Sequence, residues 1–436
     1  RINFENDQHA KMSQNAVATT PVRQVALVRD VVQSTDFKFS IHLDQWPVTD
    51  QKSSGRCWLF AALNLLRVPA MRRMKVANFE FSQNWLLFWD KIERANWFLA
   101  NIESTALEPL EGRLVSFLLE EPIGDGGQWS MFANLVSKYG LLPKTAMPET
   151  ESSSSTYQMN GVLERRLRHA AMQIRAAHQN GLTLDAENAR LSALADVWRI
   201  VCIHLGTPPS EFMWQWRDKD KRFHRSGIMT PLDFALEYVE TPLCEYVTLI
   251  HDPRPQSKMH RTYAIRYLGN VVGSPAVKYL NVEMCTIKRA TMAMLQDGCP
   301  VWMACDVGKM FHKKLGLFDA QLYNLPAVYG IETIGLSDKS ERLEYHHSAM
   351  THAMLFTGVD VHANQPTKWR VENSWGDKGV GKKGFHAMSD AWFSEYVFEV
   401  VVHRRHLTNS LLREWDSGKP IMLEPWNSMG SVAVPS

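Results

Sequence analysis

The chain contains 436 residues, of which 45% are hydrophobic and 22% are charged, and its formal net charge at pH 7 is +2. This length is enough for one large domain, or for about two to three smaller ones, with a substantial core. The balanced charge indicates neither a nucleic-acid partner nor an anionic membrane surface. Every apolar stretch is much shorter than the roughly 20 residues that span a bilayer, so we expect no membrane-spanning helix.

Six cysteines are spread along the chain without a CxxC pair and without the spacing of a small disulfide-bonded scaffold. We therefore expect free thiols and a reducing compartment. The segment from Arg1 to Val17 is mostly polar and charged, and it lacks the apolar core of a secretory signal. The sequence thus predicts a cytoplasmic protein.

Helical spacing dominates the first part of the chain. Residues Arg23 to Phe37 are predicted to be helical, whereas Gln51 to Cys57 has the composition of a loop. After Cys57, apolar residues recur at helical spacing up to Pro69, which should end the helix. Cys57 is therefore predicted to lie at the N-terminus of a helix.

Further helices are predicted from Phe81 to Phe98, where Trp, Phe and Leu recur at helical spacing, and from Leu114 to Leu119. Gly124 to Gly127 is a predicted turn. Ser152 to Ser155 has the composition of a flexible surface linker, and a second helical region is predicted from Val162 to about Ile203. The first half of the chain is thus expected to be largely helical.

Shorter β-like runs replace the helical pattern in the second half of the chain. These runs are Tyr263–Leu268, Val301–Cys305, Met354–Val361, Trp369–Val371 and Tyr396–Val402. Because helices come first and strands later, the sequence predicts an α+β fold with a β-rich second half.

Three separated segments carry residues that suit nucleophilic catalysis. Cys57 supplies a thiol at a helix N-terminus, His352 supplies an imidazole at the start of an apolar strand, and Asn373 supplies an amide next to Trp375. A thiolate is the nucleophile in such sites, and an imidazolium together with a helix dipole lowers a thiol pKa from its usual ~8.5. Asn373 is expected to orient the imidazole, which then protonates the leaving amine.

Acyl transfer also requires donors that point at the developing oxyanion. Gln51 lies six residues before Cys57, and its side-chain amide is suited to this role together with the Cys57 backbone N–H. The pattern therefore predicts attack of Cys57 on an amide carbonyl, collapse of a tetrahedral intermediate, and hydrolysis of a thioester by water.

Each of these residues also has an ordinary structural interpretation. A free cysteine is usually a small buried apolar residue, which is our interpretation of Cys202, Cys244, Cys285, Cys299 and Cys305. Alone, His352 would more often be a core histidine, and Asn373 would more often cap a turn. The three matching segments together favour the catalytic interpretation.

Several longer motifs resemble those of the bleomycin hydrolase family, whose bacterial members are called aminopeptidase C. The motifs occupy residues 51–58, 79–83, 124–129, 217–220, 251–255, 305–309, 350–354 and 370–376. A shorter match lies at residues 425–426. The motifs follow one another along nearly the whole chain. One departure is that the family's Asp-Pro-Met-Gly becomes Asn427-Ser-Met-Gly430 here.

The resemblance implies a papain-like fold with helical insertions and an antiparallel second half. It divides the chain into an N-terminal segment (1–50), a helical catalytic subdomain (51–150), a helical insertion (151–260), a β-rich catalytic subdomain (261–405) and a C-terminal tail (406–436) that reaches the active site. It implies a cytosolic cysteine aminopeptidase acting on peptides and aminoacyl amides, assembled as a homohexamer, with no metal or organic cofactor.

Carried over residue by residue, the resemblance places the nucleophile at Cys57, the base at His352, the orienting amide at Asn373 and the oxyanion glutamine at Gln51. Gly126 and Gly127 resemble a glycine pair along which the substrate backbone binds, because a side chain would block close approach. Ser436 would supply a terminal carboxylate for the substrate ammonium.

Two other functions remain open from the sequence. A transglutaminase-like acyl transferase also places Cys-Trp at a helix start, although it normally completes its triad with Asp instead of Asn. A nucleic-acid-binding scaffold on a peptidase fold is suggested by a basic run and by two nearby tryptophans. The run comprises Arg165, Arg166, Arg168, His169, Arg175 and His178, and the tryptophans are Trp214 and Trp216.

Overall fold

The computed structural model describes residues 2–43, 46–332, 335 and 338–431. Its helices are α1 (Ile2–Asn6), α2 (Gln8–Thr19), α3 (Val22–Val25), α4 (Arg29–Ser34), α5 (Cys57–Met74), α6 (Gln83–Ser104), α7 (Arg113–Glu120), α8 (Trp129–Tyr139), α9 (Glu151–Ser154), α10 (Tyr157–Gln179), α11 (Thr183–Leu205), α12 (Pro231–Tyr238), α13 (Met284–Gln296), α14 (Leu325–Tyr329), α15 (Lys339–Glu344), α16 (Asp390–Tyr396) and α17 (Asn409–Ser417). Among the described residues, no helix combines the length and the apolar character needed to cross a bilayer.

The strands are β1 (Ile41–His42), β2 (Phe212–Arg217), β3 (Phe223–Met229), β4 (Tyr246–Ile250), β5 (Arg261–Ile265), β6 (Lys278–Asn281), β7 (Val301–Cys305), β8 (Phe311–His312), β9 (Leu317–Phe318), β10 (His352–His362), β11 (Gln365–Glu372), β12 (Phe385–Ser389), β13 (Val397–His403) and β14 (Ile421–Leu423). The main sheet has the order β14-β5-β6-β4-β13-β7-β10-β11-β12-β9-β8, and β1 also pairs with β10. Its central pairs are antiparallel. The predicted α+β class is confirmed.

All five predicted β-like runs overlap strands, namely β5, β7, β10, β11 and β13. Strand β7 has the predicted bounds, Val301–Cys305. Strand β10 begins two residues earlier than the predicted run, at His352. The central strands are buried along almost their whole length because helices cover them, so their sequences are largely apolar instead of alternating.

Helix α5 begins at Cys57 as predicted, but the expectation that Pro69 ends it is wrong. The helix continues to Met74, and Lys75 ends it in the left-handed conformation at φ 55°. A proline inside a helix loses its own backbone hydrogen bond. Here, burial of residues such as Val68 and Met71 on both sides of Pro69 outweighs that loss.

The expectation that Ser152 to Ser155 forms a flexible linker is also wrong. Residues Glu151–Ser154 form a short helix in which Thr150 and Ser153 make a reciprocal capping box. Ser153 is buried, and its hydroxyl also donates to Glu149. These local hydrogen bonds order a segment whose composition alone predicts flexibility.

The predicted helical region after this segment consists of two helices, α10 and α11, joined by a short turn. Its basic run does not form an open cationic face. Arg175 is buried and donates to the carbonyls of Thr105 and Glu108, while Arg168 donates to the carbonyls of Leu119 and Glu120. These arginines bind neighbouring backbone, which weakens the nucleic-acid interpretation.

The two tryptophans Trp214 and Trp216 also have partners within the fold. Their rings stack with centroids 5.4 Å apart in the β2–β3 hairpin, and Trp214 is buried. The Trp216 indole donates to the Met74 carbonyl at 3.1 Å. The hairpin is therefore packed on the end of α5, and its tryptophans serve the core.

Candidate active site

The Cys57 thiol lies where the N-terminus of α5 meets the start of β10. Cys57 is buried, and the backbone N–H of Ala353 points at its Sγ atom at a distance of 3.4 Å. Ala353 directly follows His352, so the two segments identified in the sequence meet at this point. Residues that are 295 positions apart in the chain are thereby brought into one site.

The ring of His352 is oriented by Asn373. Strand β10 begins at His352, and Asn373 follows the last residue of the antiparallel neighbour β11. The Asn373 Oδ1 atom lies 2.9 Å from His352 Nε2. The Trp375 ring packs against the imidazole with centroids 4.9 Å apart. These contacts fix the position of the ring and bury it.

Gln51 is connected to the same cluster through Ser374. The backbone N–H of Gln51 donates to the Ser374 carbonyl at 2.8 Å, and the Ser374 hydroxyl donates to Gln51 Oε1 at 2.6 Å. The Gln51 Nε2 atom donates to the Ser54 carbonyl at 2.6 Å. An amide nitrogen carries two hydrogens, so one of them remains for a further acceptor.

Burial shifts the pKa values of the Cys57 thiol and the His352 imidazole. It raises the pKa of the Cys57 thiol to about 11, although backbone N–H groups of Ala353, Trp58 and Cys57 oppose this shift. Burial also lowers the pKa of His352 to about 4, against the opposing hydrogen bond to Asn373. Both shifts oppose the ion pair that the sequence suggests, because burial disfavours the charged form of each group.

Gly126 and Gly127 are both buried beside the Cys57 helix. A Cβ atom at Gly127 would lie 2.6 Å from the Trp58 ring, so a side chain there would force the ring to move. The Gly126 carbonyl accepts a hydrogen bond from Arg94, whose guanidinium lies 5.6 Å from the centroid of the Trp58 ring. The absence of a side chain at Gly127 thus lets this loop pack closely on α5.

Asp125 holds that loop against the Cys57 segment, and the sequence interpretation did not include it. Its carboxylate accepts from the Gly55 N–H at 3.0 Å and from Lys91 Nζ at 2.6 Å, and its carbonyl accepts from the Trp58 indole at 2.7 Å. Thr156 and Asn160 donate to the same carboxylate.

The ionised state of Asp125 is strongly favoured. Burial alone would raise the pKa of its carboxyl, but the charge of Lys91 and the hydrogen bonds from Asn160, Lys91 and Thr156 together hold it well below its usual range. The only signal in the sequence was its place in Gly124-Asp-Gly-Gly127, which we interpreted as a turn.

Glu372 occupies a comparable place behind Asn373. Its buried carboxylate accepts from the Trp46 indole at 2.7 Å, from Asn64 Nδ2 at 3.0 Å and from Arg67 Nη2 at 2.7 Å. Burial raises its pKa, and the charge of Arg67 and the bond from Trp46 oppose this shift. Its signal in the sequence was its position immediately before Asn373.

The C-terminal segment is attached to the fold through Asn427. Asn427 Oδ1 accepts from Arg254 Nη2 at 2.9 Å, and Arg254 is itself held by two bonds to the Asp252 carboxylate. The motif at residues 251–255 therefore anchors the base of the tail.

Beyond Asn427, the tail continues toward the active site. Ser428 donates to the Leu343 carbonyl at 2.9 Å, and Met429 is fully buried. The Ser431 carbonyl accepts from Gln128 Nε2 at 3.0 Å, directly next to Gly127. Ser436, for which the sequence predicts a substrate-binding carboxylate, lies outside the described residues.

Comparison with known proteins gives matches along almost the entire chain. The sequence pattern of the Peptidase C1-like family matches residues 1–430. Human bleomycin hydrolase is 42% identical over 441 aligned residues, covering 99% of this chain and 96% of that protein. Aminopeptidase C of Listeria innocua is 42% identical over 398 residues, covering 91% of this chain and 88% of that protein.

A solved structure shows the same similarity in three dimensions. The crystal structure of PepW from Lactobacillus rhamnosis HN001 matches with a TM-score of 0.96 at 40% sequence identity. The match covers 99% of this chain and 97% of that one. The papain-like expectation for the fold is therefore confirmed.

Proposed function

The chain belongs to the Peptidase C1-like family and is a cysteine aminopeptidase of the bleomycin hydrolase type, and we propose that Cys57 is its nucleophile and His352 its base. Asn373 orients the ring of His352. The observation that carries this assignment is the junction of the segments: Asn373 Oδ1 lies 2.9 Å from His352 Nε2, and the adjacent Ala353 N–H lies 3.4 Å from the Cys57 thiol.

The contact with Asn373 also supports a proposal for which nitrogen of His352 acts as the base. A carbonyl oxygen only accepts, so Nε2 carries the hydrogen that it donates to Asn373 Oδ1. Nδ1 is then the unprotonated nitrogen that takes the proton from the Cys57 thiol. We propose that this proton transfer accompanies attack of Cys57 on the substrate carbonyl.

The tetrahedral intermediate places a negative charge on the former carbonyl oxygen. We propose that the backbone N–H of Cys57 and the second hydrogen of Gln51 Nε2 stabilise it. His352 then protonates the leaving amine, the thioester forms on Cys57, and water hydrolyses it with His352 again as base.

Removal of the thiol tests the assignment of the nucleophile. Cys57→Ala should abolish hydrolysis of aminoacyl amides while the far-UV circular dichroism stays unchanged. Cys285→Ser is the matched control, because Cys285 is a free and exposed cysteine. Full activity of Cys57→Ala, or an equal loss in both variants, would overturn the assignment.

We propose that the tail confers the preference for free N-termini. A fixed carboxylate at Ser436 would pair with the substrate ammonium, and the tail would block longer peptides from crossing the cleft. Docking of the tail up to Ser431 beside Gln128 supports this proposal. Gly126 and Gly127, on the same loop, would then hold the backbone of the substrate.

Deletion of residues 432–436 separates the tail from the chemistry, because it leaves Met429 and the contacts of Ser428 in place. The ratio of kcat/KM for N-blocked peptides to that for unblocked peptides should rise by at least about tenfold, equivalent to about 1.4 kcal/mol. The rate of thiol alkylation should not change. An unchanged ratio would contradict the role of the tail.

We also propose a cytoplasmic homohexamer. All six cysteines are free, which suits a reducing compartment. Leu184, Leu191 and Trp198 are exposed at seven-residue intervals along α11 and form one apolar stripe, which suits burial against another subunit. Light scattering should give the mass of a hexamer at micromolar concentration, and a stable monomer would refute the assembly.

A further inference from the structure

A cavity of about 400 Å³ opens beside the strand that leads to Asn373. Its apolar wall contains four aromatic rings, and its charged groups are three cations and one carboxylate. The rings are Phe37, Phe39, Trp46 and Phe385, and the charged groups are Arg370, Lys382, Lys383 and Asp377. A volume of this size, lined by aromatic rings and a few charged groups, is typical of small-molecule sites.

Arg370 is the unusual member of this lining. It is only 5% exposed, yet its recorded hydrogen bond goes to a neutral group, from Nη1 to Thr357 Oγ1 at 3.0 Å. Its guanidinium carbon lies over the Phe385 ring, 3.6 Å from the centroid. Among the described residues, no carboxylate lies within ion-pair distance of it, and such a buried cation normally requires an anionic partner.

The nearby buried charges do not supply that partner. Glu372 acts electrostatically on Arg370, but its carboxylate binds Arg67 at 2.7 Å and accepts from Trp46 and Asn64. Glu372 is therefore already paired with Arg67 and makes no direct contact with Arg370. Lys382 and Lys383 are exposed at the rim and add positive charge, which Asp377 only partly offsets.

We propose that this cavity binds a small phosphorylated molecule with a flat aromatic body, of the nucleoside monophosphate class. The phosphate binds Arg370 and the two lysines, because a phosphate carries about two negative charges and matches the excess charge of the lining. The aromatic body packs against the aromatic side chains that line the cavity. None of Cys57, His352, Asn373 and Gln51 lines the cavity.

Calorimetric titration of the full-length protein with adenosine monophosphate tests this site directly. Adenosine and inorganic phosphate are titrated in parallel, because each carries one half of the proposed ligand. Adenosine monophosphate should bind at least about tenfold more tightly than either half. No binding, or equal binding of the nucleotide and inorganic phosphate, would overturn the proposal.

Two exposed lysines provide variants that should not affect folding. The double variant Lys382→Gln/Lys383→Gln should weaken binding of adenosine monophosphate by at least about tenfold. Lys378→Gln is the matched control, since Lys378 is exposed on the same loop but does not line the cavity. Equal affinity in the double variant and the control would contradict the site.

Arg370→Met tests the buried cation, because methionine keeps an apolar chain over Phe385. It should abolish the binding and should also abolish the ligand-induced rise in Tm that the unmodified protein shows. If Arg370→Met folds and still binds with unchanged affinity, the phosphate position is wrong. If Arg370→Met does not fold, the lysine variants decide.

Discussion

Asp125 and Glu372 are both about 1% exposed, and each holds one wall of the catalytic cleft. Asp125 binds the Gly55 N–H next to the Cys57 helix, whereas Glu372 immediately precedes Asn373. The pKa of Asp125 is held well below its usual range, because Lys91 and several donors outweigh burial. The pKa of Glu372 is raised, because burial outweighs Arg67 and Trp46.

The cations that pair with the two carboxylates explain this difference. Lys91 places its ammonium between Asp125 and the Gly124 carbonyl, at 2.6 and 2.8 Å. Arg67 uses Nη2 for Glu372 and for Pro47, while its Nε and Nη1 atoms are buried without a recorded partner. Both carboxylate oxygens of Asp125 are therefore paired, whereas the Glu372 side keeps two buried guanidinium nitrogens without a hydrogen-bond partner among the described residues.

Substitution of His352, the proposed base, should give the largest effect on activity. His352→Ala removes the base and should lower kcat by about 10⁵-fold or more, whereas Asn373→Ala should leave measurable activity, with a loss of about 10² to 10⁴-fold. The difference arises because Asn373 orients the ring and does not transfer the proton. Steady-state kinetics on an aminoacyl amide measures both, and the reverse order would show that the roles are misassigned.

Neutralising Asp125 and Glu372 in turn compares how much each carboxylate contributes to the free energy of unfolding. Asp125→Asn leaves Lys91 buried without its anion and should lower the free energy of unfolding by about 3–5 kcal/mol. Glu372→Gln should lower it less, by about 1–2 kcal/mol, because the ionised Glu372 is already disfavoured by burial. Urea unfolding at pH 7 measures both values.

The exposed variant Glu187→Gln is the control for these unfolding experiments, and its effect should stay within about 0.5 kcal/mol. Equal losses in Asp125→Asn and Glu372→Gln would remove the proposed distinction between the two walls.

The pH dependence of these losses should have opposite signs. Asp125 has a lowered pKa in the folded state, so its contribution is present above the ordinary carboxyl range near ~4 and is lost as the pH falls. The penalty of Asp125→Asn should therefore shrink between pH 7 and pH ~3. Glu372 has a raised pKa, so ionisation destabilises the fold as the pH rises, and the penalty of Glu372→Gln should grow on acidification. Unfolding curves of both variants at the two pH values would contradict this account if the trends were parallel.

A smaller effect, on stability, is expected from adding a side chain at Gly127. Gly127→Ala places a Cβ atom against the Trp58 ring and should destabilise the protein by about 1–3 kcal/mol, as overpacking generally does. Thermal unfolding measures this loss. An unchanged Tm would mean that the loop can move away from Trp58 at little cost. Close packing at Gly127 would then not hold the loop against α5.

The sequence predicted the fold class and the three segments that meet at the site, because each carries local signals such as helical spacing, apolar strands and distinctive motifs. It did not predict the supporting carboxylates. Asp125 pairs with Lys91 34 positions away, and Glu372 pairs with Arg67 305 positions away, and no local pattern indicates such partners.

The errors in local structure have different causes. Pro69 lies within a helix because surrounding core residues stabilise it, and Ser153 is ordered by hydrogen bonds to Thr150 and Glu149. For Pro69 tertiary contacts override the preference of the local sequence, whereas for Ser153 local hydrogen bonds order a segment whose composition predicts flexibility. The pKa shifts of Cys57 and His352 likewise depend on burial, which spacing along the chain does not reveal.

The central claim is that Cys57, among six free cysteines, forms the acyl-enzyme with His352 as its base. Active-site titration with a peptide-like, thiol-reactive inhibitor, followed by mass-spectrometric mapping, tests it most directly. We expect one label per chain, located on Cys57, with activity lost in proportion to labelling and with labelling greatly slowed in His352→Ala. Loss of activity that follows labelling of another cysteine, or full activity with Cys57 labelled, would contradict the account.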